Sequence, residues 1–251
     1  MHILYSKTII IFFVASCLFL TSCSSVYMPN VPNSPMLSAK GEIHASGHIS
    51  LKGNVNLNTA FAATDHIGVL FNGSFINQNK NKKDFRQDLV EAGAGYFTTF
   101  GADKKRILEI YAGFGKGNTD RTFRNFEDNG TITSDIQNVR FRKSFIQVNY
   151  SAKERKSFTL FGKKIPLNYG TILRVSHVSM TDFVRNNTLQ PLEDNIFLEP
   201  VFFTRFKLNE NVQLQYTSGS NFGLKNRDFL TAGNSVFTIG VVVNVGGISF
   251  K

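Results

Sequence analysis

From Glu42 to Lys52 the chain alternates with a period of two. Glu42, His44, Ser46, His48, Ser50 and Lys52 hold the even positions, and Ile43, Ala45, Gly47, Ile49 and Leu51 the odd ones. Side chains of an extended backbone point to opposite faces in turn, so this stretch is a strand with one apolar and one polar face. The pattern returns along the chain. Val55, Leu57, Thr59 and Phe61 share a face, as do Ile67, Val69, Phe71 and Phe75. So do Val90, Ala92, Ala94 and Tyr96, then Leu108, Ile110, Ala112 and Phe114, and finally Phe237, Ile239, Val241, Val243 and Val245. Between Ile136 and Tyr150 the residues fit neither face. Abundant Phe (25) with 20 Gly and no Trp agrees with strands and turns rather than helices.

The connections alternate too. Short ones at 64–66, 101–105, 152–156 and 209–211 exchange with longer ones at 77–84, 118–135, 181–194 and 221–234, and only the turn at Gly53 departs from the rule. This predicts an all-β fold, an up-and-down antiparallel transmembrane β-barrel of about ten strands, with short turns in the periplasm and long loops outside. The count falls to about eight if the first hairpin or the irregular 157–168 stretch is not a strand pair. An even count sets both ends of the barrel in the periplasm.

A soluble barrel needs an apolar inside and a charged outside, and a membrane barrel reverses the two. Here one face of each clear strand is aliphatic or Phe across its width, while the other mixes polar residues with glycines. Glycines serve no purpose on a solvated face, but inside a narrow barrel they make room for larger neighbours. Glu42, Glu91, Glu109 and Glu199 are expected to face inward and to pair with Arg205, and with Arg174 or Lys143, because an unpaired buried charge is costly. The lumen is then filled by side chains rather than open.

The N-terminus carries a separate message. Lys7 precedes an apolar run from Ile9 to Val14 that resumes at Cys17 and ends at Leu20, too short for a membrane span and suited to an export signal. Leu20-Thr21-Ser22-Cys23 resembles the lipobox of bacterial lipoproteins, which implies diacylglycerol on the Cys23 thiol and a mature chain starting there. The expected division is 1–22 signal peptide, 23–39 lipidated N-terminus and linker, and 40–251 barrel. Cys17 and Cys23 are the two cysteines, so the mature chain has no disulfide, thiol nucleophile or Cys-based metal site. Pro29, Pro32 and Pro35 predict that the linker is an extended, solvated tether, with the lipid entering the inner leaflet. The net charge of +10 favours anionic head groups and lipopolysaccharide over nucleic acid in an exported chain.

Tyr27-Met28-Pro29-Asn30 through Gly41-Glu42, Ala60 to Ile67, Gly93-Ala94-Gly95-Tyr96-Phe97 and Leu198-Glu199-Pro200 resemble a group of uncharacterised outer-membrane β-barrel lipoproteins from Bacteroidota. The resemblance implies the barrel and the compartment, and brings no catalytic residues.

Candidate chemistry is sparse. His177 and Ser179 share a strand face, resembling the His-x-Ser step of outer-membrane lipid A deacylases, with Glu193 placed to orient the histidine. No asparagine follows Ser179, and Glu193 departs from the family's spacing, so a polar strand rim is the plainer reading. His44 and His48 lie about 13 Å apart along a strand, too far for one ion. No metal or cofactor is expected. Lys80, Lys82, Lys83 and Arg86 suit a solvated loop or contact with lipopolysaccharide phosphates. Lys153, Arg155, Lys156, Lys163 and Lys164 suit a solvated turn or inner-leaflet head groups. Gly113-x-Gly115-x-Gly117 has no following helix and is no nucleotide site. The leading expectation is a non-enzymatic, lipid-anchored outer-membrane barrel with a structural or interaction role, an accessory subunit of an envelope complex, partnered by outer-membrane lipid, lipopolysaccharide and other envelope proteins. An acyl hydrolase and a tethered periplasmic lipocalin-like carrier are the alternatives.

Overall fold

The computed structural model describes residues 25–101, 103–127, 131–160, 162–231 and 235–246. The segment expected to be a signal peptide, 1–22, and Cys23 therefore lie outside the described residues. The strands are β1 (Ile43–Ser50), β2 (Val55–Ala62), β3 (Ile67–Lys80), β4 (Lys83–Phe100), β5 (Arg106–Phe126), β6 (Ile132–Leu160), β7 (Lys163–Arg185), β8 (Thr188–Leu189), β9 (Asp194–Lys207), β10 (Val212–Gly219), β11 (Phe222–Gly223) and β12 (Val236–Val245).

Every neighbouring pair is antiparallel. β1 to β7 follow in order, β9 pairs with β7, β10 with β9 and β12 with β10. The ring closes where β12 returns to β1, from Ile43↔Val245 to Ser50↔Thr238. β8 and β11 are two-residue pairings inside the connections before β9 and β12. The result is a closed barrel of ten strands, as the alternation predicts, and closure removes the open edges that a free sheet would carry.

Two ends follow from this order. The start of β1, the end of β12 and the turns at 63–66, 101–105, 161–162 and 208–211 share one end, here called the turn end. The connections at 51–54, 81–82, 127–131, 186–193 and 220–235 share the other, the loop end.

Several boundaries differ from the sequence expectation. β3 and β4 run on to a tight turn between Lys80 and Lys83, β5 and β6 pair as far as Phe126↔Ile132, and β7 continues to Arg185. Much of what polar composition marks as loop at 77–84, 118–135 and 181–194 is thus paired wall at the loop end. These strands outrun their apolar faces, so polarity reports where greasy surroundings end and not where pairing ends. The expected turn at 152–156 is absent. β6 passes through it with a register shift between Ala152 and Lys156, and Glu154 takes φ 51°. The chain reverses between Leu160 and Lys163, and the Lys156↔Leu167 to Leu160↔Lys163 hairpin projects past its neighbours at the turn end.

The faces fall as the period-two pattern requires. Leu57, Phe71, Phe114, Ile146, Phe202 and Ile239 are exposed on the outside, with Phe114 at 71%. Glu42, Asn56, Asn72, Gln87, Glu91, Glu109, Arg174, Glu199 and Arg205 are buried inside. β6 now has an orientation: Val139, Phe141, Lys143, Phe145, Gln147 and Asn149 point inward, while Arg140, Arg142 and Ile146 point out. Glycine makes the inward aromatics fit. A Cβ on Gly113 would stand 2.6 Å from Phe145 Cζ, and one on Gly117 would collide with the Phe141 ring.

A plugged lumen as the candidate functional site

Residues 25–38 are not a solvated tether. They run through the lumen from the loop end to the turn end, buried along their whole length. At the loop end Ser25 Oγ donates to the Thr231 carbonyl (2.6 Å), and the Val26 N–H donates to the Phe229 carbonyl (3.0 Å). At the turn end the Ser38 N–H and hydroxyl donate to Glu42 at 2.7 and 2.9 Å, just before β1 begins. The prolines do forbid helix and interior strand, but the segment is buried and not, as the sequence suggests, solvated. A lone chain surrounded by side chains has no neighbour for its backbone donors, and Pro29, Pro32 and Pro35 have none to satisfy. An extended run at about 3.1 Å per residue covers about 40 Å over 25–38, enough to cross a bilayer's apolar band.

The wall bonds the backbone of this plug with side chains. Gln87 brackets Met28, accepting from its N–H (2.8 Å) and donating to its carbonyl (2.7 Å). Asn56 accepts from the Val31 N–H at 3.0 Å, and Gln147 donates to the Asn33 carbonyl at 2.6 Å. Arg205 donates through Nη2 to the Ser34 carbonyl and, at 2.9 Å, to its hydroxyl. Glu109 accepts from the Leu37 N–H at 3.1 Å. Inward amides on β2, β4 and β6 thus act as the pairing partners that a neighbouring strand would otherwise be.

At mid-lumen four charged groups gather, and Asn30 bonds three of them. Lys143 Nζ is 2.9 Å from Glu91, and Arg174 is 2.6 Å from Glu199 and 3.3 Å from Glu91. Asn30 Nδ2 donates to Glu91 (2.8 Å), and Asn30 Oδ1 accepts from Lys143 (3.1 Å) and Arg174 (3.0 Å). Two cations and two carboxylates cancel, and Asn30, Asn72 (3.3 Å to Glu91) and Tyr27 (3.4 Å to Glu199) add hydrogen bonds, which is what burying four charges requires. Pairing of Glu91 and Glu199 with Arg174 and Lys143 agrees with the sequence reading. Arg205 does not take part: it donates to Gln215 at 2.7 Å and to Ser34. Glu42 meets Lys153 at 3.6 Å instead.

Apolar side chains of the plug have their own seats. Val26 and Tyr27 pack with Leu89, Phe141, Phe183, Phe197 and Leu230. Tyr27 stacks on Phe197 at 5.1 Å between centroids and meets Phe141 edge-on at 5.6 Å. Leu37 sits among Ala60, Leu70, Phe97 and Tyr111, and Met36 among Ile107, Ile172, Val201 and Phe203. Tyr27 falls in the stretch that carries the resemblance, but nothing in the sequence marks Val26, Tyr27, Met36 or Leu37 as residues seated inside the barrel. The available signals were the three-residue proline spacing and the surplus of inward Asn and Gln.

The acyl-transfer candidates are not assembled as that chemistry needs. His177 is on the outside of β7, 3.1 Å from Asp194, which also binds Lys225 and Arg227. Glu193 is taken up elsewhere, accepting from the amides of Asp228 and Leu230 at 3.1 and 2.7 Å. Among the described residues no hydrogen bond joins Ser179 to His177. His44 and His48 are buried on the inward face, bonded to Asn244 (2.8 Å) and Ser46 (3.0 Å). No group of three metal-ligating side chains occurs among the described residues.

Outside, above the apolar band at the loop end, a groove of about 760 Å³ is lined by Arg86, Asp88, Lys116, Asp120, Arg140 and Asp182. On the inward face at the same end, Lys83 lies over the Phe85 and Phe123 rings at 5.6 and 5.3 Å. In the 51–54 turn, burial and then the neighbouring Lys80 lower the pKa of Lys52 from the ordinary lysine value.

No family model and no curated protein matches the chain. Among solved structures, the translocator domain of the autotransporter NalP from Neisseria meningitidis aligns over 80% of this chain and 86% of its own, at 11% identity and a TM-score of 0.48. The FpvAI–pyocin S2 complex aligns over 82% of this chain and 41% of its own, at 9% identity and a TM-score of 0.25.

Proposed function

We propose that the chain is an outer-membrane β-barrel lipoprotein, anchored through Cys23, with a structural or interaction role rather than a transport or catalytic one. The observation that carries this reading is the division of its surfaces. The exterior is a continuous band of aliphatic and aromatic side chains, while the interior is polar and occupied by the chain's own residues 25–38. Water would penalise such an exterior and lipid would not. A carrier needs a vacant cavity, and here the lumen is taken by covalently attached residues.

The cations of the loop end support the partner side of the reading. Arg86, Lys116 and Arg140 line a groove on the outer wall near the loop end, which in this reading meets phosphate-bearing head groups. Lipopolysaccharide on the outer surface and other envelope proteins at the loops are the partners that this geometry suits. The loops at 186–193 and 220–235 then face the exterior.

The test is a Cys23→Ala variant exported with an ordinary signal. The body is expected to stay in the outer-membrane fraction and to change its gel mobility on boiling. A body recovered from the soluble periplasm would overturn the membrane barrel.

A further inference from the structure

The path of residues 25–38 fixes more than a plug. β1 starts at the turn end, yet the first described residue, Ser25, lies at the loop end, tied to Thr231 and Phe229 of the 220–235 connection. The chain has therefore crossed the full barrel before its first strand. One residue, Ser24, separates Ser25 from Cys23, and the two steps of an extended chain reach about 7 Å. From the rim of the loop end, Cys23 is out of reach of the turn end, which lies on the order of 40 Å away along the segment.

We propose that the N-terminus leaves the barrel on the cell's outer face, so that the acyl chains of Cys23 enter the outer leaflet. The anchor is not an inner-leaflet tether beside β1, as the order of segments in the sequence suggests. Its partner is a lipid surface, the outer leaflet next to the 220–235 loop. The orientation follows from the longer connections, which belong outside in such barrels. The internal contacts make the path specific. Asn30 is held by Glu91, Lys143 and Arg174, while Met28, Val31 and Leu37 have their own N–H acceptors on β4, β2 and β5. Reversing the direction would move each group from its partner. A further consequence is that the barrel closes around its own N-terminal segment, because an acylated end cannot be drawn through a lumen already packed with Phe141, Phe145 and Phe203.

This proposal rests on the lipoprotein reading, and one experiment separates the two. A specific protease site is inserted between Ser24 and Ser25, the cells are fed an alkynyl fatty acid, and the acyl label on the heat-modifiable barrel band is followed. Protease added to intact cells is expected to strip at least nine-tenths of the label while the barrel stays in the membrane. Label lost only after the outer membrane is permeabilised would overturn the proposal, provided that an epitope in the 220–235 loop is surface-exposed in the same cells. A barrel band that never carries label would overturn the lipoprotein reading and, with it, the anchor.

Discussion

β2 and β6 line the same lumen in different ways. β2 turns Asn56, Asn58 and Ala60 inward, and its amides bond the plug's backbone at Val31, with Asn58 donating to the Val31 carbonyl at 3.3 Å. β6 turns Val139, Phe141, Lys143 and Phe145 inward, filling volume left by Gly113 and Gly117 of β5 and neutralising Glu91. β2 replaces a missing strand by hydrogen bonding, and β6, whose Gln147 and Asn149 also donate to the Asn33 carbonyl, adds the packing and charge of a core. The difference shows that the lumen is built as a protein interior around residues 25–38, and not as a water-lined channel blocked by an accessory segment.

The largest effect is expected at the buried charge cluster. Lys143→Met leaves Glu91 and Glu199 with one buried cation between them, and is expected to destabilise the barrel by about 3–5 kcal/mol, read as a fall in the temperature at which the folded gel band is lost. The outer face gives the next largest effect. Ile110→Arg puts a charge in the apolar band, and a loss of about 2–4 kcal/mol is expected in a denaturant titration in lipid; an unchanged midpoint would mean that this face meets water. On the packing wall, Gly113→Leu overfills the space held by Phe145, with a cost of about 1–3 kcal/mol in the same titration. The bonding wall should answer more mildly. Asn56→Leu removes the acceptor of the Val31 N–H and is expected to cost about 1–2 kcal/mol, with hydrogen exchange at Val31 rising well before the wall strands open. If Asn56→Leu proves as damaging as Lys143→Met, the distinction between the two walls fails.

Much of the barrel was legible because its exterior obeys one rule. Leu57, Phe71, Ile110 and Ile239 sit at alternate positions since lipid-like surroundings demand apolarity at every outward site. The interior obeys no such rule, since each inward residue answers to a local partner. Phe141 is inward because Tyr27 and a glycine face it, and Gln87 because Met28 needs a donor and an acceptor. That is why 136–150 could not be oriented from sequence. Pro29, Pro32 and Pro35 were ambiguous for a related reason: proline excludes regular pairing but does not distinguish a chain in water from one whose bonding is supplied by side chains. The inward glutamates are legible as charges in need of partners, but charge alone points them to Arg205, while geometry gives Arg205 to Ser34 and Gln215. His177 and Ser179 shared a face as expected, and Asp194 rather than Glu193 stands beside the histidine.

The most direct test is conductance. Purified barrel in a planar bilayer is compared with a variant lacking residues 25–38 that retains a heat-modifiable folded band. The account predicts that the intact chain gives no stable porin-sized steps and that the deletion variant gives discrete openings, smaller in number when a synthetic 25–38 peptide is added. Porin-sized steps from the intact chain, or a folded deletion variant as closed as the parent, would contradict a lumen filled by its own N-terminal segment.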